Sequence, residues 1–411
     1  MVSPAVPADK KFRVLVVGGS YAGLSTAMNL LDLCRGRPAR MSAEDNHSGV
    51  KIPIEVTIAD ERDGFYHLVG SPLALLSRGY ADKAWVKFDE IPALQSPSIR
   101  YIRGSVKTVD IETKTATFAG DDSEEATHES YDFLVAASGL RRVWPVVPQS
   151  LDKDGYLQEV ENNIQAVSAS NKGVVVVGGG AVGIEIATEM KVLYPTIKVT
   201  LAHSRERLLS SEPLPDDVKA KALELARDAG VEILLKHRVD KVDHITEPDG
   251  SASNIITFTN REEITAGYVV NAISRAVPST SYLPEQFLDE SGYARIRADL
   301  SVASSDSLLD HFAVGDIARW SGIKRCGAAM HMGHYAAVNI HQLMLRDMLG
   351  HEPKLMELPE IPPMIALAVG NSAIAYGPQG MGVGKEVSDH FFGNDMALKG
   401  CWDQLGLSQA L

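Results

Sequence analysis

Two glycine-rich turns constrain the fold of this chain more than any other feature. The first follows the apolar run Arg13–Val17 and reads VLVVGGSYAGL, and the second follows Gly173 and reads VVVVGGGAVGIE. Each turn stands between a strand pattern and a helix pattern, and Gly178 lies 160 residues after Gly18. A strand, turn and helix of this kind binds a dinucleotide pyrophosphate at the helix N-terminus. The repeat predicts an α/β chain with two nucleotide sites.

The second turn has the complete GxGxxG spacing, with Gly178, Gly180 and Gly183. In this motif the first glycine permits the tight turn, the second lets the backbone approach the pyrophosphate, and the third allows close helix packing. The alternative is a glycine-rich turn without a ligand, and the flanking strand and helix disfavour it. We therefore expect these three glycines to face a dinucleotide.

The first turn departs from that spacing because Ser20 stands where the middle glycine belongs, between Gly18 and Gly23. A side chain there crowds the phosphate, although its hydroxyl can also donate a hydrogen bond to it. The next strand leads into Asp60, which is placed like the acidic residue that binds an adenosine ribose. A polar insertion at Arg35–Lys51 lengthens the stretch of sequence between the first glycine turn and Asp60. We interpret Asp60 as a ribose ligand, with a plain surface charge as the alternative.

The corresponding strand of the second unit ends in His203, which is followed by Ser204 and Arg205. An acidic residue at this place would hold the ribose 2′-OH of NAD, whereas a histidine, serine and arginine can accommodate a 2′-phosphate. The pattern permits NADPH and mildly favours it over NADH. A solvated basic loop without a ligand remains the alternative.

Charge and hydropathy restrict the kinds of partner. The formal charge of −13 repels phosphate backbones, so nucleic acid is not expected. The longest apolar runs fall short of the ~20 residues that cross a bilayer, so no integral membrane segment is expected. The first residues show neither a signal-peptide core nor a transit-peptide pattern, which predicts a cytoplasmic location.

The three cysteines, Cys34, Cys326 and Cys401, are widely spaced and form no CxxC or similar pair in the sequence. This spacing disfavours disulfide reductase chemistry. Cys326, His331 and His334 together suggest a metal, but they lack a fourth ligand at a recognisable spacing, so no metal site is expected.

Two later segments, taken together with the two glycine turns, indicate a family resemblance. They are YDFLVAASGL, with Ser138 and Gly139, and HFAVGDIA, with Gly315 and Asp316. With both turns, they resemble the two-dinucleotide-domain flavoproteins of the pyridine nucleotide-disulfide oxidoreductase superfamily over about residues 12–345. The segments DERDGFYHLVGSPLAL and VTLAHSRERLL are most similar to the apoptosis-inducing-factor-like branch, which includes NAD(P)H:quinone reductases of the ferroptosis suppressor type.

The resemblance implies an α/β fold with two Rossmann-like domains, one inserted in the other. Residues 1–150 and 276–345 would form the FAD-binding domain, and residues 151–275 would form the NAD(P)H-binding domain. Residues 346–411 would form a small C-terminal α+β region that serves as an interface. The implied cofactors are FAD and NAD(P)H.

The resemblance also implies roles for particular residues. Gly18, Ser20 and Gly23 would face the FAD pyrophosphate, and Asp60 and Asp316 would bind its ribose and ribityl chain. The backbone near Val106 would meet the adenine, and Glu185 would lie near the nicotinamide amide. A helix beginning near Cys326 or Gly327 would direct its N-terminus at the flavin and stabilise its reduced anion. The redox cysteines of disulfide-reducing relatives are missing.

Two aromatic segments are candidates for contact with an acceptor. The entrance to the flavin would be lined by Phe65, Tyr66 and His67. The two aromatic rings would stack against an electron acceptor there, and His67 would supply a proton. A packed, hydrogen-bonded histidine is the alternative. The C-terminal segment DHFFGNDMALKGCWDQLGL would touch a membrane surface or a quinone tail, or would pack on the protein or on a second copy in a homodimer.

Three functions fit these features. The first is an enzyme that passes hydride from NAD(P)H to FAD and electrons to a quinone-like small molecule. The second is a tailoring oxidoreductase of the same fold that acts on a specialised metabolite. The third is a flavoprotein whose redox state controls binding to a partner, although the net charge argues against its DNA-binding form.

Overall fold

The computed structural model describes residues 10–41, 49–119, 127–248, 252–273, 277–303 and 309–408. The predicted insertion at Arg35–Lys51 lies partly outside these residues. The helices are α1 Tyr21–Cys34, α2 Ser71–Ala74, α3 Arg78–Ala84, α4 Lys153–Ser168, α5 Ala181–Leu193, α6 Asp216–Asp228, α7 Cys326–Leu349, α8 Lys385–Phe391 and α9 Leu398–Leu405.

The strands are short, and several are buried along their whole length. They are β1 Phe12–Val17, β2 Ile54–Asp60, β3 Gly64–Tyr66, β4 Trp85–Lys87, β5 Ile99–Arg103, β6 Val106–Asp110, β7 Thr115–Phe118, β8 Thr127–Ser130, β9 Phe133–Ala136, β10 Leu140–Arg141, β11 Val174–Val177, β12 Val199–His203, β13 Glu232–Leu235, β14 Val239–Thr246, β15 Ala252–Phe258, β16 Glu263–Ala266, β17 Tyr268–Asn271, β18 Val277–Pro278, β19 Ala294–Arg295, β20 His311–Ala313, β21 Ala318–Arg319, β22 Ile365–Val369, β23 Ser372–Gly377 and β24 Gly380–Gly384.

The first sheet is parallel and has the strand order β20-β9-β1-β2-β5. Its central strand β1 (FRVLVV) has only one exposed residue, because a parallel strand covered on both faces reads as a continuous apolar run. Helices α1 and α7 pack closely against each other, and apolar residues of both join the largest buried cluster of the molecule. The late strand β20 completes a sheet that the N-terminal strands begin.

The second sheet repeats this plan with the parallel order β13-β12-β11-β17. Its central strand β11 is the buried run of four valines before the second glycine turn. Helix α5 follows that turn just as α1 follows the first turn. The repeated strand–turn–helix unit predicted from the sequence is therefore present in both sheets.

Smaller antiparallel sheets accompany the two parallel ones: β6-β7-β8 and β14-β15-β16. Residues Ile99–Arg103 form β5, which pairs in parallel with β2 as the edge of the first sheet. Strands β10 and β18 pair with each other where the chain passes between the two parallel sheets.

The C-terminal residues form the antiparallel sheet β22-β23-β24 and the helices α8 and α9. Strand β22 contacts α5, whereas α9 contacts α1, so this region touches both nucleotide-binding units. Within the described part of the chain, no helix combines the length and the apolar character needed to cross a membrane.

Candidate functional site

A cavity of about 2070 Å³ lies between the two parallel sheets and the C-terminal region. Both glycine turns line it, and so do the carboxyl ends of β2, β11 and β12. In open α/β sheets, ligands bind at this end of the strands. The cavity therefore joins the two predicted nucleotide sites in one space.

Three helices present their N-termini to this cavity without a side-chain cap. They are α1, whose N-cap residue is Ser20, α5, whose N-cap residue is Gly180, and α7, whose N-cap residue is Arg325. The first turn of a helix leaves backbone N–H groups without an intrahelical partner, and the helix dipole makes that end positive. Three such ends around one cavity form a site for phosphate groups and for an anionic ring.

Close backbone packing explains why the turns need glycine. Gly18 has a φ of +113°, and a Cβ atom there would lie 2.4 Å from the carbonyl oxygen of Ala137. A Cβ atom on Gly23 would lie 1.8 Å from the carbonyl oxygen of Gly18. Gly178 and Gly183 repeat both features in the second turn. At these four positions glycine is needed because the backbone of the turn packs closely there. The missing side chain does not leave room for a ligand.

The middle positions of the two turns differ from those four. A Cβ atom on Gly180 would meet nothing within 4 Å, so the space above this residue is open to the cavity. Ser20 occupies the same place in the first turn, is partly exposed and also lines the cavity. Its hydroxyl makes no capping hydrogen bond to α1. Both middle positions can therefore approach a pyrophosphate.

Asp60 and His203 make the same contact in the two units. Asp60 Oδ2 accepts a hydrogen bond of 2.7 Å from the Gly19 N–H, and His203 Nδ1 accepts one of 3.0 Å from the Gly179 N–H. Both side chains line the cavity at the end of the second strand of their unit. Burial raises the pKa of Asp60, and the N–H groups of Arg62 and Gly19 oppose that shift.

The contact with Gly179 determines the protonation of His203. Because Nδ1 accepts a hydrogen bond, the proton of the neutral ring is on Nε2, which donates to Ser210 Oγ over 3.1 Å. Burial lowers the pKa of His203 and favours this neutral form. Ser204 lines the cavity, whereas Arg205 is exposed and lies outside its lining. Of the three predicted residues, two thus face the nucleotide space.

Glu185 lies on α5, one turn after the second glycine turn, and lines the cavity. Its Oε1 accepts a hydrogen bond of 3.3 Å from the Ala368 N–H of β22. Burial raises the pKa of Glu185 to about 8. The carboxyl group is therefore largely neutral at pH 7.

Asp316 and its neighbours form the wall next to the N-terminus of α7. Asp316 is half-buried and pairs with Arg142, with 3.3 Å between Oδ2 and Nη2. Gly315 has a φ of +73° and packs against Ala22 of α1. Asp316, Arg142, Gly315 and Gly139 all line the cavity. The contacts of Gly139, Gly315 and Asp316 with a cofactor stay predictions. Arg142 was not predicted from the sequence. Its position shortly after Gly139 is the signal that could have indicated it.

Ser138 also lines the cavity, but its hydroxyl is occupied. It donates a hydrogen bond of 2.6 Å to the Ser279 carbonyl oxygen and lies 3.1 Å from the Tyr282 hydroxyl. Val106 begins β6 in a buried cluster outside the cavity lining. A backbone contact with adenine near Val106 stays a prediction.

The prediction for His67 was wrong. His67 is fully buried and lies outside the cavity lining. Its Nε2–H donates to the Met396 carbonyl oxygen over 2.8 Å, and its Nδ1 accepts from the Tyr21 hydroxyl over 3.0 Å. Both ring nitrogens are satisfied, and burial lowers the pKa of His67. This is the packed histidine that was the alternative, not a proton donor to an acceptor.

The two aromatic residues before His67 have different environments. Phe65 is buried outside the cavity lining, with Tyr21 and Trp402 in edge contact, so it does not form the expected wall. Tyr66 does line the cavity and packs edge-on against Tyr156. Burial raises the pKa of Tyr66, so its hydroxyl remains protonated.

Most of the aromatic and apolar residues of the C-terminal segment are packed into the protein. The buried ones are Phe392, Met396, Leu405 and Leu407, whereas Phe391 is 45% exposed and lines the cavity. Internal packing therefore accounts for most of the segment, and Phe391 is the residue that offers an apolar ring to a ligand.

The three cysteines are free thiols in different places. Cys34 is buried at the end of α1, whereas Cys326 at the start of α7 and Cys401 in α9 line the cavity. Among the described residues, no group of three histidine, cysteine or acidic side chains is arranged to hold a metal ion.

The comparison with known families is decisive. The model of the pyridine nucleotide-disulphide oxidoreductase family matches residues 12–333. The chain belongs to this family. Like other members of the pyridine nucleotide-disulphide oxidoreductases, it is an oxidoreductase that binds FAD and NAD(P)H. The uncapped helix ends and the open space at Gly180 fit both cofactors.

Individual proteins agree with this assignment to the pyridine nucleotide-disulphide oxidoreductases. Oxidoreductase OXR1 of Ajellomyces capsulatus is 48% identical over 408 residues, which cover 97% of this chain and 88% of that protein. Ferroptosis suppressor protein 1 of Xenopus tropicalis is 25% identical over 83% of each chain. The sulfide:quinone oxidoreductase of Aquifex aeolicus has a similar fold, with a TM-score of 0.70, 17% identity and coverage of 97% of this chain and 92% of that one.

Proposed function

We propose that this oxidoreductase passes electrons from NAD(P)H, by way of FAD, to a quinone-like small molecule. The observation that carries the proposal is the cavity, because three uncapped helix N-termini and an apolar C-terminal wall meet around it. The helix ends would bind two dinucleotides, and the apolar wall would contact a third ligand, which is planar.

The residues divide between the two cofactors. The N-terminus of α1 and Asp60 would hold the pyrophosphate and ribose of FAD, Asp316 its ribityl chain, and the N-terminus of α7 the anionic end of its ring. The N-terminus of α5, with His203, would hold NAD(P)H. When bound, FAD accepts hydride from the nicotinamide and gives up two electrons to the acceptor.

The remaining wall of the cavity favours an apolar acceptor. Met364, Met381 and Phe391 of the C-terminal region line it, and Met381 and Phe391 are each more than a third exposed. Tyr66 adds an aromatic ring whose hydroxyl stays protonated and can donate a hydrogen bond. Such a surface suits a planar carbonyl compound. The name of the structurally similar sulfide:quinone oxidoreductase includes a compound of this class, which supports the proposal without assigning the acceptor to this chain.

A steady-state assay tests the proposal. FAD-loaded protein should bleach on anaerobic addition of NADH or NADPH and should regain its colour when a water-soluble benzoquinone is added. It should also turn over with that quinone at many cycles per flavin. A colourless protein that cannot be loaded with FAD, or one that is reduced once and not reoxidised by the quinone, would contradict the proposal. The second result would favour a redox-gated binding protein.

A substitution at Gly180 makes this test specific to the site. Gly180→Val fills the open space at the second turn while its extended backbone accommodates a β-branched residue. We expect normal FAD content and a KM for NAD(P)H raised at least 100-fold. Gly79→Val is the matched control, because its Cβ also meets open space but lies outside the cavity lining. The control should reduce and reoxidise like the unmodified protein.

We also propose that the protein acts in the cytoplasm. A second copy of the chain remains a candidate partner, and a peripheral membrane surface is another. Cell fractionation and light scattering of the holoenzyme, with and without anionic vesicles, test these assignments.

A further inference from the structure

The turn between β13 and β14 runs beside the end of β12. The His237 N–H donates to the His203 carbonyl oxygen over 2.9 Å. The Lys236 N–H donates to the Arg205 carbonyl oxygen over 3.0 Å, so the two backbones stay hydrogen-bonded beyond the ends of their parallel strands. Arg238 is the last residue of the turn, and it lines the cavity as His203 does. The turn therefore borders the place where we expect the adenosine ribose of NAD(P)H.

The turn is held in one conformation. Lys236 has a φ of +63°, which a residue with a side chain rarely adopts and which surrounding contacts must maintain. His237 Nδ1–H donates to the last carbonyl oxygen of β13 over 2.7 Å, and its Nε2–H donates to a Glu262 carboxylate oxygen over 2.8 Å. The hydrogen bond with Glu262 raises the pKa of His237. The Thr259 N–H then fixes the backbone of Arg238 by donating to its carbonyl oxygen over 2.9 Å.

Most basic side chains around this turn already have an acidic partner. The paired ones are Lys236 with Glu206 at 2.7 Å, Arg207 with Asp216 at 2.8 Å, and His237 with Glu262 at 2.8 Å. Within the described part of the chain, Arg205 and Arg238 form no ion pair with a carboxylate, and both are exposed. Arg205 lies outside the cavity lining. Of the two, Arg238 is the arginine that presents a free guanidinium to the nucleotide space.

A free guanidinium at this place suits a phosphate group. Its planar fork of N–H donors matches the oxygens of a phosphate, and pairing with a carboxylate would remove that capacity. NADPH differs from NADH by one phosphate on the 2′ oxygen of the adenosine ribose, and a phosphate monoester carries roughly −1.5 to −2 charges at pH 7. His203 is neutral and Ser204 offers a hydroxyl donor at the cavity, so neither opposes that charge.

We propose that Arg238, together with the Ser204 hydroxyl, binds the 2′-phosphate of NADPH and gives the site a preference for NADPH over NADH. The cation would thus come from the turn between β13 and β14, and not from the end of β12, where the sequence predicted Arg205. The inference rests on the proposed placement of NAD(P)H at the N-terminus of α5. It does not depend on the electron acceptor.

Calorimetric titration of FAD-loaded protein tests the phosphate contact without turnover. The probes are 2′,5′-ADP, which carries the 2′-phosphate, and 5′-AMP, which lacks it. Native protein should bind 2′,5′-ADP about tenfold more tightly or better, and Arg238→Gln should lose about tenfold or more of that affinity while its affinity for 5′-AMP stays within about twofold. Arg238→Lys keeps the charge but not the fork, so its affinity for 2′,5′-ADP should lie between the two.

Arg205→Gln is the matched control, because it removes an equally exposed, unpaired arginine that lies outside the cavity lining. Its affinity for 2′,5′-ADP should stay within about twofold of the native value. Steady-state reduction gives a second readout. In Arg238→Gln the KM for NADPH should rise about tenfold or more, whereas the KM for NADH should change by less than about twofold.

Three results would overturn the inference whatever the acceptor does. They are equal binding of 2′,5′-ADP and 5′-AMP by native protein, an equal loss of both ligands in Arg238→Gln, and a loss in Arg205→Gln as large as that in Arg238→Gln. Gly180→Val separates these results from a failure of the proposed function. A normal KM for NAD(P)H in Gly180→Val would show that the placement of NAD(P)H is wrong, and the inference with it. A raised KM in Gly180→Val with unchanged 2′,5′-ADP binding in Arg238→Gln would overturn the inference alone.

Discussion

At the scale of single residues, we propose that the side chain at the end of β12 decides which nicotinamide cofactor fits. His203 is neutral, since Gly179 donates to Nδ1, so this side chain brings no negative charge to the place where we expect the adenosine ribose. We expect His203→Glu to lower the ratio of kcat/KM for NADPH to that for NADH by at least tenfold, about 1.4 kcal/mol, because a carboxylate repels a 2′-phosphate.

His203→Asn is the control for this change. The asparagine carbonyl oxygen can accept the Gly179 hydrogen bond and remains uncharged, so the cofactor ratio should stay within about twofold. If the glutamate variant keeps the original ratio, or if asparagine shifts it equally, the end of β12 does not determine cofactor choice.

Glu185 adds a dependence on pH. Its pKa of about 8 keeps it neutral at pH 7 and charged at pH 9. A carboxylate near the nicotinamide favours the oxidised ring, which is positively charged, over the neutral reduced ring. The dissociation constant of NAD(P)⁺ should therefore fall relative to that of NAD(P)H as the pH rises through about 8. Glu185→Gln should show no such change, and fluorescence titrations at pH 7 and 9 would measure both ratios. A variant with the full pH dependence would remove Glu185 from the nicotinamide site.

At the scale of elements, helix α7 contains an unpaired titratable group. His341 is fully buried, and neither ring nitrogen has a hydrogen-bond partner among the described residues. Burial lowers its pKa to about 4. Between that value and the ordinary 6.5 the unfolded chain binds a proton that the folded protein does not, so stability falls as the pH falls through 6.5.

This linkage gives a quantitative expectation. From pH 7 to pH 5, His341 should contribute a loss of about 2 kcal/mol in the free energy of unfolding. In urea denaturation, His341→Leu should lose correspondingly less of its free energy of unfolding between pH 7 and pH 5. The variant should be no less stable at pH 7, since an apolar group replaces an unpaired buried imidazole. The exposed His351→Leu serves as control and should retain the full loss. Equal pH dependence in both variants would contradict the assignment.

At the scale of the whole molecule, FAD should act as part of the fold. Three helix N-termini around the cavity have no side-chain caps, and bound ligand groups would satisfy their N–H donors. Removing FAD should therefore lower the free energy of unfolding, and restoring it at 1,000 times its Kd should return ~4 kcal/mol. Riboflavin lacks the pyrophosphate and adenosine and should stabilise far less at the same concentration. Identical urea midpoints with and without FAD would argue against the site.

Features that depend on local backbone geometry could be predicted from the sequence. The spacing of residues within a short segment was enough to predict the two glycine turns, the strand ends at Asp60 and His203, and the start of α7. Contacts between distant segments could not be predicted. The burial of His67, for example, depends on a hydrogen bond to the carbonyl oxygen of Met396, which lies 329 residues further along the chain.

The equivalent contacts of Asp60 and His203 bear on a problem that every enzyme with two adenine dinucleotides must solve. Both ligands present the same adenosine and pyrophosphate, so the two turns alone cannot sort them. We propose that the side chain accepting the N–H of each turn sorts them: the acidic side chain of Asp60 at Gly19 would disfavour a 2′-phosphate, whereas the neutral imidazole of His203 at Gly179 would tolerate one. A phosphorylated nicotinamide dinucleotide would then be kept from competing for the FAD-binding half of the cavity.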